Sequence, residues 1–212
     1  DDLPGAHAAD IQEVVDETGE LANLPVDHRA RPHRGQVPGA DLVENGHRRI
    51  AFVAGPKDNF DADERLRGYT DALAELVPGV EPIVLPGTFD EASGHAAGHD
   101  LLSMHERPDA VFAANDMTAL GVLFAFHQAG LRVPEDIAVA GFDDIPLARY
   151  VHPSLTTISV DIAQLGGRAL RTLLAGREIP AQPTDEATLI APHLTARQST
   201  QRRGAAHRRD SS

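Results

Sequence analysis

From Arg49 to Gly176 the chain alternates short apolar runs with longer amphipathic stretches, and this rhythm limits the fold more than any other feature. Arg49 to Ala54 (RIAFVA) ends in Gly55-Pro56, the pattern of a buried strand stopped by a turn. Asp61 to Val77 follows with Leu66, Tyr69, Leu73 and Leu76 on one helical face, closed by Pro78-Gly79. The cycle repeats as strand Pro82 to Leu85 and helix Glu91 to His105, whose apolar face is read as Ala92, Ala96, His99 and Leu102. It continues with strand Ala110 to Ala114, helix Asp116 to Ala129, strand Ile137 to Gly141, strand Thr156 to Val160 and helix Ile162 to Ala175. Short strands alternating with helices of this length imply right-handed crossovers and a parallel sheet.

In such a sheet, ligands bind beyond the carboxyl ends of the strands. The segments to inspect are therefore Gly55 to Asp61, Gly87 to Phe89, Asn115-Asp116 and Phe142 to Asp144. Either Asn115 or Asp116 can cap the helix that follows, and Asn115 can add a ligand contact. Asp143-Asp144 could bind Mg²⁺ or accept a phosphoryl group, which would require a nearby cation and a third acidic ligand. Lys57, the only lysine, follows a different strand. A carboxylate here suits a polyol equally well, or simply a turn before Pro146. Arg65 and Arg67 lie in the first turns of a helix that follows a strand; an arginine opposite a carboxylate can grip a polar ligand from both sides. Each is also placed to be a solvated partner of Asp61 or Asp63. His95 and His99 have metal-ligand spacing but no H-E-x-x-H pattern and no third ligand.

Composition narrows the function classes. The absence of cysteine removes disulfides, thiolate metal sites and cysteine nucleophiles. A formal net charge of -13 argues against broad contact between this chain and DNA or RNA. The sequence contains no G-x-S-x-G elbow, Walker A loop or G-x-G-x-x-G motif, so its chemistry is that of binding rather than catalysis. No apolar run approaches the length of a membrane span, and no signal peptide is legible, so a cytoplasmic location is expected. Ala9 to Leu21 reads as a weak helix and Arg29 to Gly39 as a loop. Arg197 to Ser212, with five arginines and one aspartate, reads as too polar to pack.

At the strand ends the wording resembles a known family. Gly46-His47-Arg48-Arg49-Ile50-Ala51-Phe52-Val53-Ala54-Gly55 is similar to the G-H-x-x-I-A-x-(I/L/V)-x-G stretch of the LacI/GalR repressors. Arg65-Leu66-Arg67-Gly68-Tyr69 resembles their R-x-x-G-(Y/F) helix, and Ala114-Asn115-Asp116-Met117-Thr118-Ala119-Leu120-Gly121 their A-N-D-x-x-A-x-G signature. Gly130-Leu131-Arg132-Val133-Pro134-Glu135-Asp136-Ile137 through Gly141-Phe142-Asp143-Asp144, His152-Pro153-Ser154-Leu155-Thr156-Thr157-Ile158 and Leu194-Thr195-Ala196-Arg197-Gln198-Ser199-Thr200 complete the likeness from about Leu42 to Thr200.

The resemblance implies an α/β, periplasmic-binding-protein-like fold: a parallel sheet with flanking helices and two lobes around a cleft that closes on a small molecule. It implies that Arg65, Phe89, Asn115 and Asp143 hold a sugar or nucleoside-like effector, with Phe89 covering its ring. Near Val160, where some members carry a polar contact, this sequence is apolar. The implied domain limits are 1–41 for a poorly matching N-terminal segment, 42–200 for the effector-binding domain and 201–212 for a disordered tail. Within the domain, the C-terminal lobe is complete over about 42–158 and 191–200, and the N-terminal lobe is a remnant over about 159–190. The expectation is a truncated homodimeric regulator that is not an enzyme and uses no cofactor or metal. It would meet DNA only through a helix-turn-helix missing from this chain. A periplasmic sugar-binding protein of a transporter and a phosphoryl-transfer enzyme using Asp143 and Asp144 are the competing readings.

Overall fold

The computed structural model describes Leu42 and Val43, residues 45–161, isolated helical positions between 163 and 174, and residues 192–201. The readings of a helix at Ala9 to Leu21, a loop at Arg29 to Gly39, most of the helix Ile162 to Ala175 and the tail 202–212 lie outside the described residues. By its contacts the chain divides into two units. One comprises Asp1–Arg31 and Ala163–Ile190, of which only the isolated helical positions are described; the other comprises Pro32–Ile162 and Ala191–Ser212. The elements below belong to the second unit.

Six strands form one sheet: β1 (Ile50–Val53), β2 (Ile83–Leu85), β3 (Ala110–Ala113), β4 (Ala138–Phe142), β5 (Thr156–Ser159) and β6 (His193–Thr195). Their order is β2-β1-β3-β4-β5-β6, with β1 to β5 parallel and β6 antiparallel to β5. Three helices fill the crossovers: α1 (Phe60–Leu76), α2 (Glu91–Ser103) and α3 (Asp116–Gln128). A 3-10 turn at Pro146–Arg149 follows β4. Each of the first five strands falls within a residue or two of the run that foretold it, while β6 was not foreseen as a strand.

Both faces of the sheet are covered, so its central strands are apolar at every position. Ala51 and Val53 of β1, with Val111, Ala113 and Val139, pack toward α2 and α3. Ile50 and Phe52 alternate to the other face, where they join Tyr69 and Leu73 of α1 with Ala110 and Phe112. There Phe52 stacks on Tyr69 with ring centroids 5.2 Å apart. The Gly46-His47 motif finds a structural use at the entry to β1. The Asp109 carboxylate accepts from the backbone amides of Arg48 at 3.0 Å and Arg49 at 3.2 Å and lies 3.6 Å from buried His47 Nδ1.

Two expectations are corrected. The buried face of α2 is Gly94, Ala97, Gly98 and Leu101; Ala92, Ala96 and His99 are exposed. The helix turns its smallest residues inward because α3 lies too close for anything larger. A Cβ at Gly94 would overlap the carbonyl oxygen of Thr118, and one at Gly98 would lie 2.6 Å from Ala125 Cβ. The stretch from Arg197 also packs where polarity argued that it would not: Ser199 and Thr200 are fully buried. Their polar groups are answered inside the fold. Ser199 Oγ donates to Val139 O at 2.6 Å and accepts from Thr156 N at 2.8 Å, while the Thr156 and Thr200 hydroxyls are paired at 2.9 Å. Burial of polar side chains becomes acceptable once their hydrogen bonds are made.

Candidate functional site

The strand order reverses between β1 and β3: the chain leaves β1 to one side to build β2, then returns to the other side for β3. At such a switch point the loops diverge and open a crevice at the carboxyl edge. Arg65 enters from α1, whose start is set by Asn59; the Asn59 side chain accepts from Ala62 N at 3.0 Å. Arg65 Nη1 donates to Ala114 O at 2.8 Å, at the end of β3. Its Nη2 lies 3.5 Å from Asp143 Oδ1, beyond β4. The guanidinium is flanked by two rings, Phe142 at 4.2 Å and Phe89 at 5.3 Å from their centroids. Burial lowers the Arg65 pKa, and the carboxylates of Asp143, Asp61 and Asp116 oppose that shift.

Asn115 is the cap of α3: its Oδ1 accepts from Thr118 N at 2.9 Å, and its Nδ2 donates to Phe89 O at 2.8 Å. The second bond holds the backbone that presents Phe89, a residue at φ 65, in the left-handed region that side chains rarely enter. The Phe89 ring lies where a side chain at Gly55 would have to be. All four residues singled out in the sequence are therefore brought together within one unit. Arg65 touches the edge beside Asn115, Asn115 fixes Phe89, and Phe89 and Asp143 both face Arg65.

The structure separates the paired candidates. Arg67 points to solvent and pairs with Glu64 at 2.6 Å. Asp144 turns away from Arg65 and accepts from Arg197 Nη2 at 2.5 Å. Asp143 is 39% exposed; burial raises its pKa, Arg65 opposes the shift and Asp61 adds to it. His95 Nε2 bonds Gln128 Oε1 at 2.8 Å and its ring meets His99 edge-on at 4.6 Å. Among the described residues no group of three or more His, Cys, Asp or Glu is arranged to hold a metal ion. Phe142 and Asp116 were not singled out for the roles they take. An aromatic residue ending an apolar strand gives no sign of a cation above it, and Asp116 was weighed only as a cap.

An edge of this kind, at the switch point of a parallel sheet, is where α/β domains take their ligands. Residues 40–200 match the family described as a periplasmic binding protein-like domain. The chain belongs to that family, in the form of the LacI/GalR effector-binding domain. It is 39% identical over 168 residues to the HTH-type transcriptional repressor PurR of Photorhabdus laumondii, covering 79% of this chain and 49% of the relative. Among solved structures, a complex of the transcriptional regulator CelR with cellobiose is 36% identical, with a TM-score of 0.68 over 78% of this chain and 51% of that one. A dimeric Lac repressor is 27% identical, with a TM-score of 0.70 over 89% of this chain and 73% of that one. The chain spans about half the length of the curated relatives it matches.

Proposed function

We propose that this chain is the ligand-sensing and dimerising part of a cytoplasmic LacI/GalR-type transcriptional regulator, and that its effector is a sugar. The observation that carries the reading is the Arg65–Asp143 pair. At 3.5 Å it is an ion pair longer than a good charge-assisted hydrogen bond. A ligand hydroxyl placed between them can accept from the guanidinium and donate to the carboxylate, which a polyol does repeatedly. Phe89 offers its ring to the apolar face of a pyranose, and the CelR neighbour binds cellobiose. The matched relatives are repressors rather than enzymes, and a dimer is the state of the Lac repressor neighbour. Among the described residues no helix is long and apolar enough to cross a membrane.

In this reading, effector binding shifts a conformational equilibrium and thereby the spacing of two DNA-reading heads. DNA contact belongs to a helix-turn-helix outside residues 42–200, not to this acidic body. The test is a thermal-shift screen of pentoses, hexoses, cellobiose and nucleosides. An effector at 100 times its Kd adds about 2.7 kcal/mol to stability. For a chain of this size that raises the midpoint by roughly 5–11 °C. A shift with nucleosides alone overturns the sugar assignment, and no shift with any compound overturns the effector reading.

A further inference from the structure

Asp116 stands beside the cap of α3 yet does not cap it. Its side chain is fully buried, and both carboxylate oxygens are committed elsewhere. Oδ1 accepts from the Thr157 hydroxyl of β5 at 2.6 Å, and Oδ2 accepts from the backbone amide of Ile145 at 2.9 Å. The turn that carries Asp143 leads directly into Ile145 and lies against Thr157 and Ile158 of β5. Asp143 at φ 113 and Asp144 at φ 53 are consecutive non-glycine residues in left-handed territory, a conformation that persists only when the surroundings impose it.

The surroundings impose it at several points. Asp143 N donates to Ile158 O at 2.8 Å, Asp144 N to Thr157 Oγ1 at 3.3 Å, and Arg197 holds Asp144 from the far side. Asp116 reaches Ile145 directly and orients the Thr157 hydroxyl that meets Asp144. Gly141, at the end of β4, leaves the space for this: a Cβ there would overlap Asp116 Oδ1. The charged groups around Asp116 are Asp143 and Asp144 on the turn and Arg65 on α1. Asp116 forms no ion pair with any of them among the described residues, so its hold on the turn runs through the Ile145 amide and the Thr157 hydroxyl.

We propose that Asp116 is the positioning residue of this site: its carboxylate, shared between the Ile145 amide and the Thr157 hydroxyl, holds the strained turn that presents Asp143 to Arg65. The proposal rests on the reading of Arg65 and Asp143 as effector contacts. Through this link, the N-terminus of the helix that Asn115 caps sets the position of the carboxylate across the site.

The test has two arms, one of which needs no effector. Amide hydrogen exchange is measured in the wild-type chain and in D116A, T157V and T157S. The Asp143 amide is the reporter, since Asp116 does not touch it. Exchange at Asp143 is expected to accelerate about tenfold or more in D116A and T157V. The strand amides of Val53 and Ala113 stay unchanged, and T157S, which keeps the hydroxyl, restores protection. An Asp143 amide as protected in D116A as in wild type overturns the proposal; if D116A fails to fold, the same outcome in the near-isosteric T157V overturns it.

The second arm titrates cellobiose calorimetrically into wild type, D116A, D143N and the double variant. D116A is expected to weaken binding about tenfold in the wild-type background and to have no further effect beside D143N. An equal loss in both backgrounds shows that Asp116 does not act through Asp143. If cellobiose binds no form of the chain, cellobiose falls as the effector and the exchange arm alone decides the positioning role.

Discussion

Replacing Asp116 by asparagine tests the cost of the buried carboxylate. Burial raises the Asp116 pKa from the ordinary aspartate value of 3.8 to about 6; hydrogen bonds from Thr157 and Ile145 oppose the shift, and the charges of Asp143 and Asp144 add to it. The folded state therefore binds this proton more tightly than the unfolded chain. The group's contribution to stability is most favourable below pH 4 and falls as the pH rises toward 6. Two pKa units at 1.36 kcal/mol each amount to about 3 kcal/mol of stability absent at pH 7. Asparagine has nearly the same shape and does not titrate. Its altered hydrogen bond to Thr157 shifts stability by a constant amount at every pH. The stability of D116N minus that of wild type should thus rise by about 2 kcal/mol between pH 4 and pH 7, the rest of the change lying below pH 4. Urea denaturation at half-unit pH intervals measures this difference, and Asp143, Asp109 and the other shifted carboxylates remain in both proteins. A difference that is flat with pH, or that falls as pH rises, refutes the reasoning.

Two further substitutions probe the frame around the site. In G121A the added methyl would overlap the carbonyl oxygen of Glu91 and lie 2.7 Å from His95 N, both backbone atoms that cannot rotate away. The expected loss is about 2–3 kcal/mol in urea denaturation, with an unchanged m-value. R197A leaves Asp144, only 17% exposed, without its cation and frees Leu155 O, which Arg197 Nη1 bonds at 2.7 Å. It should cost about 3 kcal/mol, and the R197A/D144A double variant should cost less than the sum of the two single changes.

The architecture was legible because burial on both faces forces each central strand to be apolar at every position. RIAFVA and the run Ala110 to Ala114 could be placed without knowing their partners. The strand ends pointed to the segments that hold Phe89, Asn115 and Asp143, since a parallel sheet collects its loops at one edge; the resemblance to the LacI/GalR family singled out these residues together with Arg65. What escaped the reading depends on distance in space rather than on pattern. The inward face of α2 was misassigned because hydrophobic periodicity rewards larger apolar residues, whereas close approach of two helices selects Gly94, Gly98 and Gly121. The different fates of Asp143 and Asp144 could not be seen in a Asp-Asp pair, since the partner of one lies 53 residues farther along the chain. The packing of Ser199 and Thr200 was hidden because a serine destined for burial is indistinguishable in sequence from one on a loop.

That long separation has a consequence for biosynthesis. When the ribosome has added Asp144, its counter-charge Arg197 is still 53 residues from being made, and Ser199, which ties to Val139, is 60 residues behind its partner. At about 5–20 residues per second, translation leaves the nascent sheet without these contacts for roughly 3–12 s. From the completion of β5 at Ser159 until β6 begins at His193, β5 has no β6 beside it, and its outer edge is open to pairing with other chains. The growing chain is therefore most exposed to aggregation after β5 has emerged, and conditions that slow translation over residues 160–200 should reduce the soluble yield more than slowing it earlier in the chain.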